Sequence, residues 1–143
     1  MDRNRAGLKA VVDTSVIAYY LLGTSGFGSE AQNFWHQAGD LLAPALWEAE
    51  LANVIWRSVR DGVLGPHEAA KKLGLAARLG IHSVPNRTLW QGALVRTLVS
   101  GIAVYKTLFV ELADRERVPL ATFDEKLTKA YPDIAKRPGR LVD

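Results

Sequence analysis

Residues 10–15 read Ala-Val-Val-Asp-Thr-Ser and decide the fold that we expect for this chain. The first three are apolar at consecutive positions, which is typical of a strand buried on both faces in a parallel sheet. Thr14 and Ser15 are good capping residues, and we predict that one of them caps a helix that Gly23 ends. Asp13 then stands at the carboxyl end of a buried strand with no capping role to fill.

Outward from this stretch, short apolar runs alternate with longer amphipathic ones. The apolar runs predict further strands at residues 41–44, 81–84 and 118–122, and an edge strand at 141–142. The longer runs predict helices at residues 29–38, 45–61, 66–80, 89–99 and 102–115, and a short helix from Glu125. Such alternation indicates βαβ units, so we expect an α/β fold of three α/β/α layers around a mostly parallel sheet. No linker or repeat interrupts the pattern, and we expect one domain over residues 1–143.

The composition excludes several classes of function. The chain has no Cys, which rules out disulfide frameworks, thiolate zinc sites and cysteine nucleophiles. Lys and Arg total 18 against 15 Asp and Glu, a mild excess that is compatible with a polyanionic partner. No signal peptide is evident, and the longest apolar run, residues 16–22, is far shorter than the roughly 20 residues of a membrane span. We therefore expect a soluble cytoplasmic protein with no membrane partner.

Two carboxylates follow predicted strands directly, Asp13 and Asp124. Open parallel sheets bind ligands in the crevice at the carboxyl ends of their strands, where a carboxylate is held firmly and still reaches a hard cation. The alternative for each residue is a turn or a helix cap, because Asp at a strand end commonly fills that role. For Asp124 alone the two interpretations stay open.

Glu50 is the third candidate, on the predicted helix at residues 45–61. Its face of the helix also carries Leu46, Asn53 and Arg57, while the opposite side is apolar. For a single Glu on a helix, the alternative is an ordinary solvated side chain. If the three acids do not converge in space, an unrelated small α/β binding domain becomes the better hypothesis.

Three sequence blocks together resemble those of PIN domains, and most closely toxins of the VapC type. The first is Val-Val-Asp-Thr-Ser-Val at residues 11–16. The second is Pro44 with Trp-Glu-Ala-Glu-Leu-Ala-Asn-Val at residues 47–54. The third is Leu112-Ala113 with Val-Pro-Leu-Ala-Thr-Phe-Asp at residues 118–124. The resemblance covers almost the whole chain in the same order and spacing.

This resemblance implies cleavage of RNA phosphodiester bonds by water that Mg²⁺ or Mn²⁺ activates. It also implies homodimers and inhibition by a small antitoxin that inserts a segment into the pocket. Carried over by position, the catalytic metal ligands are Asp13, Glu50 and Asp124. The supporting positions are Thr14, Ser15, Asn53, Lys106 and Thr122.

Lys106 is a departure from the family pattern, because PIN domains usually carry an Asp at this position. At an effective dielectric constant of about 20, an ammonium about 6 Å from a divalent ion opposes its binding by several kcal/mol. Lys106 either contacts substrate phosphate in a weakened one-metal enzyme, or pairs with the acids in place of the cation, or marks an inactivated relative. The alternative to an enzyme is a catalytically silent PIN module that binds RNA or a protein partner.

Basic and aromatic side chains outside these blocks give weaker signals. A nucleic-acid track is one interpretation of Arg57, Arg60, Lys71, Lys72 and Arg78, against the ordinary one of exposed helix faces. Most of the Trp residues have the spacing of core positions, but Trp56 and Trp90 are candidates for an interface.

Overall fold

A five-stranded sheet forms the centre of the computed structural model, which describes residues 7–143. The strands are β1 (Leu8–Val12), β2 (Ala38–Pro44), β3 (His82–Val84), β4 (Leu120–Ala121) and β5 (Ala135–Lys136). Their order across the sheet is β3-β2-β1-β4-β5, and every pairing is parallel. The apolar run of β1 is fully buried at its last three positions, as its sequence predicts.

Seven helices flank the sheet within the described part of the chain. They are α1 (Thr14–Leu22), α2 (Gly28–Gln37), α3 (Leu46–Arg60), α4 (Pro66–Ala76), α5 (Trp90–Ser100), α6 (Val104–Glu116) and α7 (Glu125–Ala130). Two short 3₁₀ turns lie at Asn86–Thr88 and Pro138–Arg140. The predicted helices and most strands are confirmed, with ends that shift by a few residues.

The strand order determines which face of the sheet each helix covers. Connections between parallel strands are almost always right-handed, and the chain moves from β1 to β2 to β3 in one direction but from β3 to β4 to β5 in the other. Helices α1–α4 therefore cover one face and α5–α7 the opposite face. The contacts agree, since α1 packs on α2, α3 and α4, while α5 packs on α6. The predicted three-layer α/β/α architecture is confirmed, and the sheet is wholly parallel.

Because the chain moves across the sheet in one direction from β1 to β3 and in the other from β3 to β5, a crevice lies between the carboxyl ends of β1 and β4. Chain segments that leave these two neighbouring strands go to opposite faces of the sheet, so no connection covers the gap between them. The strands are joined by hydrogen bonds from Val11 N to Pro119 O and from Asp13 N to Ala121 O, both 2.9 Å long. Residues directly after β1 and β4 are thereby brought to the same edge.

Two local predictions are wrong. Residues 141–142 form no strand, because Pro138 and Gly139 turn the chain before them, and β4 instead pairs with Ala135–Lys136. Thr14 and Ser15 do not cap α1, since the helix begins at Thr14 and Asp13 is its N-cap residue. Asp13 makes no side-chain capping bond, so its carboxylate remains available for another role.

No single helix among residues 7–143 is both long enough and apolar enough to cross a membrane. Helices α5 and α6 meet that test only when they are joined, and they are bent by 116° relative to each other.

Gly7 and Gly39 allow β1 and β2 to approach closely where these strands begin. A Cβ atom on Gly39 would lie 2.8 Å from the Cα of Gly7 and 2.9 Å from its carbonyl carbon. Because both atoms belong to the backbone, a larger residue can be accommodated only if the strands move apart.

We predict that Gly39→Ala lowers the free energy of unfolding by about 1–3 kcal/mol, the usual effect of overpacking. Urea unfolding followed by circular dichroism measures this value. Gly74→Ala is the matched control, because a Cβ on Gly74 in α4 meets nothing within 4 Å. Ala is favoured over Gly in a helix by roughly 0.5–1 kcal/mol, so the control should be neutral or stabilising. Equal losses in both variants would contradict the close approach.

Candidate active site

Asp13 lies directly after β1 and is 8 % exposed. Its Oδ2 accepts a hydrogen bond of 2.6 Å from the Thr122 hydroxyl and one of 3.1 Å from the Ser15 hydroxyl. Burial raises the pKa of Asp13 above its ordinary value, and the bond from Thr122 and the charge of Lys106 offset part of that rise. A carboxylate in such a position is stabilised by any cation that reaches it.

Glu50 projects from α3 toward the same edge of the sheet. Its Oε1 accepts a 2.8 Å hydrogen bond from the Thr14 hydroxyl, which fixes the carboxylate near the start of α1. Partial burial raises the pKa of Glu50 above its ordinary value, and the negative charge of Asp13 adds to the rise. The two acids therefore affect each other electrostatically, as neighbours in one site do. The alternative of a freely solvated helix residue does not describe Glu50.

Asp124 follows β4 by three residues and uses both of its carboxylate oxygens. Oδ1 caps α7 by accepting from the backbone N–H groups of Lys126 and Leu127, at 2.8 Å and 3.3 Å. Oδ2 lies 2.5 Å from Nζ of Lys106. Burial alone would raise the pKa of Asp124, but the bond and charge of Lys106 outweigh it and hold this pKa below its ordinary value. Asp124 is thus both a helix cap and one half of an ion pair.

Lys106 brings the only positive charge that the described residues place directly on one of the three acids. It is the third residue of α6 and is neighboured by Thr107 and Phe109, which are buried in the core. Burial would lower the pKa of Lys106, but the bond to Asp124 and the charges of Asp13, Asp124 and Glu50 raise it above its ordinary value. The ammonium is therefore charged at neutral pH and acts as a cation among the three carboxylates.

A cleft of about 490 Å³ opens at this edge of the sheet. The start of α1, the outer face of α3 and the start of α6 form its walls. Its lining residues are Asp13, Thr14, Ser15, Glu50, Asn53, Val54, Arg57, Tyr105, Lys106 and Phe109. Asp124 does not line the cleft, but Lys106 does, and its ammonium pairs with Asp124 while it also feels the charges of Asp13 and Glu50.

The cleft offers a hard divalent cation two carboxylates, those of Asp13 and Glu50. Within residues 7–143, no three His, Cys, Asp or Glu side chains are arranged so that they hold one ion together. Asp13 and Glu50 nevertheless share a cleft, and no described Lys, Arg or His lies within 4 Å of either carboxylate. Mg²⁺ is commonly held by one or two carboxylates together with water and substrate phosphate, so this pair suits it. The three-acid metal site stays a prediction.

Comparison with known proteins identifies the family. The PIN domain family matches residues 10–131, which is most of the chain. The chain belongs to the PIN domain family. It is also 30 % identical over 131 residues to Ribonuclease VapC3 of Pyrobaculum aerophilum, a match that covers 89 % of this chain and 98 % of the relative. The resemblance to PIN domains and to VapC-type proteins, drawn from the sequence, is confirmed.

A solved structure shows that the fold also agrees. The crystal structure of VapBC2 from Rickettsia felis, bound to a DNA fragment from their promoter, matches 91 % of this PIN domain and 98 % of the solved chain. The TM-score is 0.62 at 12 % sequence identity. At that identity the likeness bears on the fold alone.

Sequence reasoning named most of the residues around this cleft of the PIN domain, but it did not single out Tyr105. Tyr105 lines the cleft and was not singled out, because an aromatic residue at a helix start gives no distinctive signal. The pairing of Lys106 with Asp124 was one of several alternatives, since spacing does not determine where a long side chain points. Arg57 was detectable, because seven residues separate it from Glu50 and both lie on one face of α3.

We predict that Thr122→Val lowers the free energy of unfolding by about 1–3 kcal/mol, because it removes the 2.6 Å bond to a buried carboxylate. Urea unfolding at pH 7 measures the change. Thr128→Val is the matched control, since the Thr128 hydroxyl bonds only to the exposed carbonyl of Glu125 within its own helix. The control should change stability by less than about 0.5 kcal/mol. An equal effect in the two variants would show that the bond to Asp13 does not matter.

Proposed function

We propose that this PIN domain is a metal-dependent endoribonuclease that hydrolyses RNA phosphodiester bonds, and that it is the toxin of a toxin–antitoxin pair. The observation that carries the proposal is that Asp13 and Glu50 line one cleft. No described Lys, Arg or His side chain lies within 4 Å of either carboxylate. The similarity to Ribonuclease VapC3 over nearly the full length of both chains supports RNA as the substrate. Mg²⁺ or Mn²⁺ is the cofactor that this chemistry requires.

Each side chain has a distinct part in this proposal. Asp13 and Glu50 hold the ion, and the hydroxyls of Thr122, Ser15 and Thr14 fix the carboxylates that do so. When bound, the ion supplies a Lewis acid that polarises the phosphate and makes water more acidic. Preset carboxylates need no reorganisation when the substrate arrives, which is how such sites accelerate a reaction.

Lys106 weakens the site in this proposal. Its ammonium neutralises Asp124, so the third acid binds metal only if that ion pair opens. Several kcal/mol of repulsion between the ammonium and a divalent ion prevents a second ion and reduces the affinity for the first. We therefore expect slow cleavage by a single-metal site.

The second candidate function is a catalytically silent PIN module that binds RNA or a protein partner. One observation favours it specifically: both oxygens of Asp124 are already engaged, one by the backbone of α7 and one by Lys106. If that ion pair is permanent, the metal site lacks its third acid.

We propose that two copies of the chain associate through α5. Its outer face is apolar, with Trp90, Leu94, Val95, Leu98 and Val99 between 49 % and 86 % exposed. The one charged residue of this helix, Arg96, turns away to pair with Glu111 and Asp114 on α6. A largely apolar face of this kind suits a second copy of itself, since homodimer interfaces are more apolar than ordinary surface.

We propose that a small antitoxin is the natural inhibitor of this activity. A VapC-type nuclease with an open cleft would damage the RNA of its own cell. The cleft, lined by carboxylates and partly open to solvent, is where an inserted segment of the antitoxin would block substrate.

We predict that the wild-type protein cleaves a single-stranded RNA pool slowly in Mn²⁺ or Mg²⁺, and that EDTA stops the reaction. Asp13→Ala should abolish cleavage, because it removes a metal ligand. Lys106→Asp should accelerate cleavage by at least about tenfold, because it removes a repulsion of several kcal/mol and restores an acid. Cleavage is followed by gel electrophoresis of end-labelled RNA.

Lys129→Asp is the matched control for the charge change, because Lys129 lies in the last turn of α7 and does not line the cleft. It should cleave RNA like the wild type. Cleavage by Lys106→Asp alone would favour the silent module as the native function. If neither the wild type nor Lys106→Asp cleaves RNA or binds a divalent ion, the nuclease proposal fails.

A further inference from the structure

Arg57 stands at the rim of the acidic cleft and has no described partner. It is exposed, and among residues 7–143 no carboxylate pairs with its guanidinium. The other basic residues that the sequence offered for a nucleic-acid track do not line the cleft. Lys72 donates to the carbonyl of Leu21 at 2.9 Å, and Arg60 pairs with its neighbour Asp61. Among residues 7–143, Arg57 is therefore the cation that lines the cleft without a carboxylate partner.

Helix α3 arranges three polar side chains along the cleft wall. Glu50, Asn53 and Arg57 are spaced by three and four residues, so they lie on one face, and all three line the cleft. The rise from Glu50 to Arg57 is about 10 Å along the helix axis. The wall thus changes from an acid beside Asp13 to an amide and then to a guanidinium.

Tyr105 lies on the opposite wall and is 55 % exposed. It precedes Lys106 at the start of α6, and both residues line the cleft. An exposed aromatic ring beside a groove that follows a nucleic-acid backbone is a stacking platform for a base. A cleft of about 490 Å³ has the size of a small-ligand site, which suits a nucleotide of a single strand rather than a duplex.

The carboxylates of the cleft require a nearby positive charge before a phosphate can approach, and Arg57 supplies one. A phosphodiester approaching Asp13 and Glu50 is repelled unless positive charge lies nearby, and the charge of Lys106 is already directed at Asp124. An arginine binds phosphate through paired N–H groups and keeps its charge at all accessible pH values. Its place at the rim lets it hold a phosphate beyond the one that reaches the acids.

We propose that Arg57 binds a phosphate that flanks the scissile one and that Tyr105 stacks on a base of the same strand, so that the cleft selects single-stranded RNA. Both are positioning residues for the proposed nuclease, on which this inference rests. Asn53 lies on α3 between Glu50 and Arg57 and lines the same cleft.

The test measures binding of a short fluorescein-labelled single-stranded RNA of mixed sequence by fluorescence anisotropy, in EDTA and again in Ca²⁺. Arg57→Ala should weaken binding by at least about tenfold, the loss expected for a charge-assisted hydrogen bond. It should also reduce the slope of log Kd against log salt by about 0.7, the value for one phosphate contact to a single strand. Arg57→Lys should recover the salt slope and part of the affinity.

Tyr105→Ala should weaken binding by about fivefold or more with no change in the salt slope, because stacking involves no counterion release. Tyr105→Phe should bind like the wild type, since it keeps the ring. Arg60→Ala is the control for loss of positive charge on α3, because Arg60 does not line the cleft. It should leave affinity nearly unchanged. All substituted residues are exposed, and thermal unfolding should be the same for every variant.

The outcomes separate this inference from the nuclease proposal. In one outcome, Arg57→Ala and Tyr105→Ala lose RNA binding but the wild-type protein does not cleave RNA. This result would support the inference and contradict the nuclease proposal. Cleavage with equal affinities in Arg57→Ala and Arg60→Ala would overturn the inference and leave the nuclease intact. The inference is also overturned if the wild-type protein binds no RNA. It is overturned as well if Arg57→Ala and Tyr105→Ala bind RNA normally and lose only the binding of a protein partner.

Discussion

The hydroxyl of Thr122 donates to the carboxylate of Asp13 across the ends of β4 and β1, and the rest of the site is arranged around this bond. The two strands are parallel neighbours, and the chain adds later strands on opposite sides of them. It therefore leaves β1 and β4 toward opposite faces of the sheet. The bond holds a buried carboxylate at the edge where open parallel sheets bind ligands. Ser15 adds a second bond to the same oxygen, and Thr14 positions Glu50 beside it.

Fixing these acids has an electrostatic consequence that shapes the surrounding structure. Burial raises the pKa of both Asp13 and Glu50, and the negative charge of Asp13 adds to the rise at Glu50. A nearby cation stabilises the charged forms of these carboxylates, and within the chain Lys106 is such a cation. The ammonium pairs with Asp124, whose other oxygen caps α7, so α6 and α7 are tied together at the site. In the proposed metal site, the same pair engages the third acid.

The sequence was sufficient for the fold because its signals are local and consistent. The buried β1 and the alternation of strands and helices follow from short-range hydrophobic patterns. The prediction failed at the C-terminus, where β5 has only two residues and its pairing with β4 depends on tertiary contacts. The caps of α1 were misplaced because the hydroxyls of Thr14 and Ser15 bond to carboxylates instead of to the helix backbone.

The site was predictable to a different extent for each residue. Asp13 follows a strand signal, and Glu50 follows a helical face, so their approach could be anticipated. The double engagement of Asp124 depends on where the long side chain of Lys106 points, which no spacing rule determines. Tyr105 lines the cleft because the start of α6 reaches it, and this placement depends on tertiary structure rather than on local sequence.

The central claim is that Asp13 and Glu50 form a single cation site and that Lys106 keeps Asp124 out of it. Anomalous diffraction from crystals soaked in Mn²⁺ tests this claim most directly, because it locates each ion and its ligands. We predict one Mn²⁺ held by Asp13 and Glu50, with the Lys106–Asp124 ion pair intact. Two ions in the cleft, or one ion bound to Asp124 with Lys106 displaced, would contradict the account.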